Sequence, residues 1–149
     1  MEITKEQKKQ IQKIGKKHHL DFIILHGSQV TGKKGPQPDV DVAIYRRGGI
    51  DFKEQMEIFF KLSEIFGEFG ELDLKTLHKK DPLFRYYVVR DGKLLYGDQT
   101  DFNEYKAYAY KSYFDASDLF ALEAFLVEKH QRQLMEHLNA GRKVYSPKN

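Results

Sequence analysis

The sequence predicts an α+β protein: a small β-sheet packed by helices, followed by a long helical segment. Three observations carry this reading. "DFIILHG", "DVDVAIY" and "ELDLKTL" are apolar or alternating runs of strand length. Residues 4–19 and 51–66 repeat apolar positions at helical spacing. Apolar positions recur again from Asp101 to about Leu138, as one long helix or two. The chain has 149 residues, so a single domain over 1–149 is expected, with a core at about 20–98 and a C-terminal helical extension at about 101–140.

In chain order, residues 4–19 place Ile11 and Ile14, with Ile3 and Leu20 at the ends, on a thin apolar line, and Thr4 can cap the helix. The Lys-rich outer side reads as a solvated face. "DFIILHG" reads as a buried strand ending in Gly27. Residues 29–38 contain two Gly and two Pro and are expected to be mostly loop. "DVDVAIY" alternates as a second strand, so Asp39 and Asp41 project from the same face. "RGGI" turns the chain into a helix over 51–66, with Phe52, Met56, Phe59, Phe60 and Phe66 expected on its apolar face and Gly67 and Gly70 ending it. "ELDLKTL" brings Leu72, Leu74 and Leu77 around Asp73 as a third strand. Pro82 opens a short helix that is rich in β-formers, and "DGKLLYG" reads as a turn into a short strand. The last segment is apolar over more than one face until about Val127. Tyr105, Tyr108, Tyr110 and Tyr113 cluster there, so part of it is expected to meet a partner.

Composition narrows the function. Apolar residues make up 40% of the chain, which has 11 Phe and 9 Tyr, so a folded globule is expected. Net charge is +3, too mild to make nucleic acid the main partner. There is no cysteine, which excludes disulfides, thiolate zinc sites and a Cys nucleophile. No apolar run reaches the ~20 residues that span a bilayer, and the N-terminus lacks a signal-peptide core. A soluble cytoplasmic protein is expected.

The segment from Gly27 to Val42 allows two readings. From Gly27 it nearly spells a P-loop, but Lys34 stands where a cation-ligating Ser or Thr is needed. Gly35-Pro36-Gln37-Pro38 also stops the helix that a P-loop must open. The other reading needs a strand, a loop and a strand. Gly27 lets phosphate approach the backbone, and Ser28 supplies a hydroxyl, with N–H groups just after it. Asp39 and Asp41 carry like charges that a divalent cation would reconcile; Mg²⁺ takes one or two carboxylates plus substrate phosphates. His26 is expected to pack or hydrogen-bond rather than ligate, and His130 and His137 to be solvated.

"GSQVTGKKGPQPDVDV" resembles the signature of the minimal nucleotidyltransferase (MNT) family, within the DNA polymerase β-like nucleotidyltransferase superfamily: Gly-Ser, ten residues, then Asp-x-Asp. The likeness extends over nearly the whole chain, with residues 20–77 its specific part. It implies the nucleotidyltransferase fold, with a small mixed sheet. Gly27 and Ser28 are then nucleotide-binding; Asp39, Asp41 and Asp73 are catalytic and hold one or two Mg²⁺ ions, with ATP as substrate. Asp73 would bind the second ion or take the proton from the attacking hydroxyl. Family members often have Arg soon after Gly-Ser and Ser before the first Asp, where this chain has Gln29, Thr31 and Pro38; Lys33 and Lys34 are candidates to restore the charge. Stand-alone members often accompany a HEPN-domain toxin. The resemblance therefore implies an adenylyltransferase antitoxin that moves AMP from ATP to a tyrosine of a HEPN ribonuclease toxin. The alternatives are an antitoxin that neutralises its partner by binding alone, and transfer to a small molecule or an RNA end.

Overall fold

The computed structural model describes residues 1–32, 39–78 and 80–144, with side chains described through residue 141. Lys33, Lys34, the Gly35-Pro36-Gln37 run and Pro38 lie outside the described residues, and with them the questions of restored charge and of the approach to Asp39. The chain divides into two compact units, Met1–Lys111 and Ser112–Asn149.

In the first unit, α1 (Lys5–Lys17) begins at a capping box. Thr4 accepts from the Gln7 N–H, and the Gln7 side chain accepts from the Thr4 N–H, so two otherwise orphaned donors are satisfied. β1 (Phe22–His26) leads through a single helical turn, α2 (Ser28–Thr31), to β2 (Asp39–Tyr45). Then come α3 (Phe52–Phe66), β3 (Glu71–Thr76), α4 (Pro82–Asp91) and β4 (Lys93–Tyr96). The last helix, α5 (Gln99–Val144), is a single helix that begins in the first unit and accounts for most of the second. Within the first unit the fold is the expected α+β arrangement. Its four-stranded sheet has the order β3-β2-β1-β4 and is mixed: β2 pairs antiparallel with β1 and parallel with β3.

The period of two splits each strand between two cores. Ile23, Leu25, Val40, Val42, Ile44 and Leu72 face Ile11 and Ile14 of α1 and Ile58, Leu62, Ile65 and Phe66 of α3. On the other face, Phe22, Ile24 and Ala43 meet Val88 and Val89 of α4 and Phe102 and Ala109 of α5. Three of the four tyrosines at the start of α5 lie in this unit and divide accordingly. Tyr105 and Tyr110 pack against this second core, and burial pushes the Tyr105 phenol up to about 12. Tyr108 is exposed, and the Arg85 guanidinium donates to its hydroxyl.

One expectation is corrected and another is refined. The buried face of α3 is Ile58, Leu62, Ile65 and Phe66, whereas Phe52 and Phe60 are exposed. At about 100° per residue, Phe60 stands almost opposite Ile58, so one helix cannot bury both against one sheet. Of the stretch 29–38, expected to be mostly loop, residues 29–31 form a helical turn, and residues 33–38 lie outside the described residues. Gly27 and Gly32 bracket the turn with positive φ, and the Val30 and Thr31 N–H groups and the Thr31 hydroxyl all donate to the Gly27 carbonyl. Among the described residues, no helix is long and apolar enough to cross a membrane.

Candidate active site

The site lies at one end of the sheet, where β1 runs out. Gly27 adopts φ 74 and ψ −150, a conformation that side chains rarely reach. A Cβ there would fall on the Asp41 carboxylate. Gly27 is therefore required twice, for its backbone angle and for the room it leaves Asp41. Ser28 follows directly, half-buried at the first position of α2, where a helical turn leaves its leading N–H groups without intrahelical partners. Gln29 reaches back across the turn and donates to the Asp39 carbonyl at 3.4 Å.

The carboxylates come from two neighbouring strands. Asp39 and Asp41 alternate with the buried Val40 and Val42, so both project on the α4 side of the sheet, Asp39 exposed and Asp41 half-buried. The parallel register sets Asp41 beside Asp73 and Asp39 beside Glu71. Adjacent strands lie about 4.8 Å apart, so four carboxylates occupy a small area at the sheet end. Asp39, Glu71, Leu72 and Asp73 line an open cleft of about 300 Å³. Lys75 pairs with Asp73 at 2.8 Å, and that hydrogen bond, with Asp41 adding to it, holds the Lys75 ammonium above its ordinary value.

His26 sits opposite Asp41 in the antiparallel register and meets Phe84 edge-on, ring centroids 6.0 Å apart. It packs, as expected, yet its Nε2 is buried without a hydrogen-bond partner. Burial holds the imidazole below its ordinary pKa, against the opposing pull of Asp41 and Asp73.

The structure thus brings together Gly27, Asp39, Asp41 and Asp73, and sets Ser28 next to them in the chain. Sequence reasoning missed Glu71 and Lys75, although both share the period-two face of Asp73 in "ELDLKTL". Among the described residues, no three His, Asp or Glu side chains form a ready-made metal cage. The donors nevertheless suit Mg²⁺, which takes hard oxygen ligands. It completes its shell with waters and substrate phosphates and needs only one or two carboxylates from the protein.

A family model described as Polymerase beta, Nucleotidyltransferase matches residues 9–101. No curated protein matches the chain. Among solved structures, a toxin-antitoxin with AMP-PNP is similar at TM-score 0.66 and 23% identity, over 80% of this chain and 98% of that chain. A tri-AMPylated Shewanella oneidensis HEPN toxin in complex with MNT antitoxin is similar at TM-score 0.62 and 22% identity, over 82% and 97%. The toxin-antitoxin MntA-HepT is similar at TM-score 0.62 and 20% identity, over 83% and 99%. At these identities the likeness is one of fold.

Proposed function

Because this chain belongs to the polymerase beta nucleotidyltransferase family, we propose that it transfers AMP from ATP to a tyrosine of a HEPN-domain ribonuclease toxin and so serves as that toxin's antitoxin. The observation that carries the reading is the register of β2 and β3, which sets Asp73 beside Asp41 on the face that also holds Asp39. The toxin-antitoxin structures of like fold, one with an ATP analogue and one with an AMPylated toxin, support the choice of nucleotide and acceptor.

The chemistry is an in-line displacement. The tyrosine oxygen forms a bond to the α-phosphorus of ATP, the bond from that phosphorus to pyrophosphate breaks, and pyrophosphate leaves. Asp73, in the lining of the cleft, either takes the phenolic proton or binds a second ion. The Ser28 hydroxyl and the leading N–H groups of α2 hold the phosphates that depart. Gly27 keeps the backbone low enough for them to approach. Asp39 and Asp41 are the residues that would hold the first Mg²⁺. When bound, Mg²⁺ supplies positive charge to the triphosphate and to the leaving group. The protein's own part is positioning and preset charge.

A second reading also has an observation behind it. Lys75 occupies Asp73 through a short ion pair, and Gln29 and Thr31 stand where the family often has Arg. Both suit an antitoxin that neutralises its partner by binding alone. The deciding experiment incubates the purified protein with α-labelled ATP, Mg²⁺ and a HEPN protein from a neighbouring gene. Label on a toxin tyrosine together with loss of ribonuclease activity is the expected result. Neutralisation without label selects binding alone, and neither effect sinks both readings.

A further inference from the structure

On the α4 and α5 side of the sheet, the first unit has a pocket of about 290 Å³ lined by Tyr45, Leu77, His78, Arg85, Tyr105 and Tyr108. It is separate from the carboxylate cleft. Tyr45 follows Asp41 by four residues along β2, so the two side chains leave the same face about 13 Å apart. None of Gly27, Ser28 and the three aspartates lines it, and the transfer chemistry makes no use of its polar groups.

Arg85 is the cation of this pocket. Arg46 and Arg90 each hold a carboxylate, Glu54 at 2.8 Å and Asp91 at 2.7 Å. Among the described residues, Arg85 holds none. Asp81, one helical turn earlier, is used instead as the cap of α4, where it accepts from the Phe84 N–H at 2.9 Å. One Arg85 Nη donates to the Tyr108 hydroxyl at 3.2 Å, which ties the guanidinium to α5. The Nε–H is shielded from solvent and meets no acceptor. A buried donor left unmet costs about 1–3 kcal/mol, and more when it is charged. A guanidinium satisfies its donors best with two oxygens of one anion.

The rest of the pocket is largely aromatic. The Tyr45 and Tyr105 ring centroids are 4.8 Å apart, and those of Tyr105 and Tyr108 are 5.9 Å apart. Leu77, beside them, is buried. The Tyr105 phenol also lies in the field of Arg85 and of the Tyr45 and Tyr108 phenols. A neutral phenol can donate to an anion just as it accepts from Arg85. A bare inorganic ion would meet the donors alone, whereas an anion carried on a ring would also cover the apolar wall. The volume is at the lower end of the range for small-molecule pockets, which suits one ring bearing one charged group.

From the unpaired guanidinium and the aromatic walls together we propose that this pocket binds a small aromatic oxyanion, an aryl phosphate or an aryl carboxylate. The anion's oxygens accept from Arg85 and from the tyrosine hydroxyls, and its ring packs on Tyr45 and Tyr105.

The test uses the full chain without nucleotide. Phenyl phosphate, benzoate and inorganic phosphate are titrated at constant ionic strength, by calorimetry and by the NMR signal of the Arg85 Nε–H. At least one aromatic probe should bind saturably, at least tenfold more tightly than inorganic phosphate, and should move that signal. The tighter of the two aromatic probes identifies the oxyanion. Arg85→Met removes the charge at similar length. It should weaken the binding at least tenfold and leave the melting temperature unchanged or raised, since no carboxylate loses its partner. Arg85→Lys keeps the charge but not the fork, and should also weaken binding, which preserves the comparison should Arg85→Met fail to fold. The proposal is overturned if neither aromatic probe binds saturably or if inorganic phosphate binds as tightly. It is equally overturned by binding that leaves the Arg85 signal in place, or by variants of Arg85 that bind as wild type.

Discussion

Replacing Gly27 by Ala tests the geometry on which the site depends. At φ 74 and ψ −150 a side chain is held in a region that costs about 1–3 kcal/mol. The new methyl also lands on the Asp41 carboxylate. Asp41 is anchored between Val40 and Val42, both fully buried, so its backbone cannot retreat and the carboxylate must rotate away. Strain and displacement together amount to about 2–4 kcal/mol. For a chain of this size that is a fall in melting temperature of roughly 6–12 °C, at about 3 °C per kcal/mol. A displaced Asp41 should also slow transfer about 100-fold, the usual scale for a misplacement of an ångström. Gly32→Ala is the control. Gly32 also has positive φ, at 75, but in the left-handed helical region and with nothing within 4 Å of a Cβ, so it loses only about 1–2 kcal/mol and keeps its activity. Both variants are to be compared by thermal melting and by the labelled-ATP assay. Equal melting losses, or wild-type transfer by Gly27→Ala, would refute the contact between Gly27 and Asp41 as a determinant of the site.

Three further expectations follow from the same residues. Asp41→Asn should lower transfer by two orders of magnitude or more while leaving the melting temperature unchanged or raised, because it relieves repulsion from Asp39 and Asp73 without altering shape; a stability loss of several kcal/mol would make Asp41 structural instead. ATP should bind at least about tenfold more tightly in calorimetry with Mg²⁺ than in EDTA, since carboxylates and triphosphate otherwise repel; equal affinities would remove the metal-bridged site. Away from the site, the Arg46 guanidinium holds the Glu54 carboxyl down at about 2 from an ordinary 4.5, through hydrogen bonds of 2.8 Å. A carboxyl depressed in the folded state stabilises above its unfolded value, and that contribution is lost as pH falls from about 4.5 toward 2. The ceiling is about 3 kcal/mol, reduced to roughly 1–2 by solvent screening of this partly accessible pair. Urea unfolding should therefore separate wild type from Glu54→Gln at pH 7 and much less at pH 3, and a gap that does not change with pH would refute the linkage.

Local chemistry made much of the protein legible before the fold was known. The Thr4 cap, the strand alternation and the glycine at position 27 each obey rules set within a few residues, by hydrogen-bond saturation, by the period of two and by steric freedom at positive φ. For the same reason Asp39 and Asp41 could be placed on one face from the sequence. The remaining determinants act across the chain. Asp73 lies 32 residues beyond Asp41, and a slip of one residue in the β2–β3 register would have turned its carboxylate into the opposite core. That register also set Glu71 beside Asp39, whereas the pairing of Lys75 with Asp73 is local, between residues two apart on one face of β3. The buried face of α3 was decided in the same way, since several faces of that helix carry large apolar residues and only the sheet beneath it selected Ile58 and Leu62 over Phe52 and Phe60. Tyr105 and Tyr110 turned inward, while Tyr108, on the same helix, stayed outside because α5 meets the sheet along one line. The sequence by itself determined most of the elements and the chemical character of the candidate site, because propensity, periodicity and glycine conformation are local. Only the tertiary structure decided which carboxylates meet and which aromatic faces are covered, because pairing register and packing are fixed by apolar surfaces far apart in the chain.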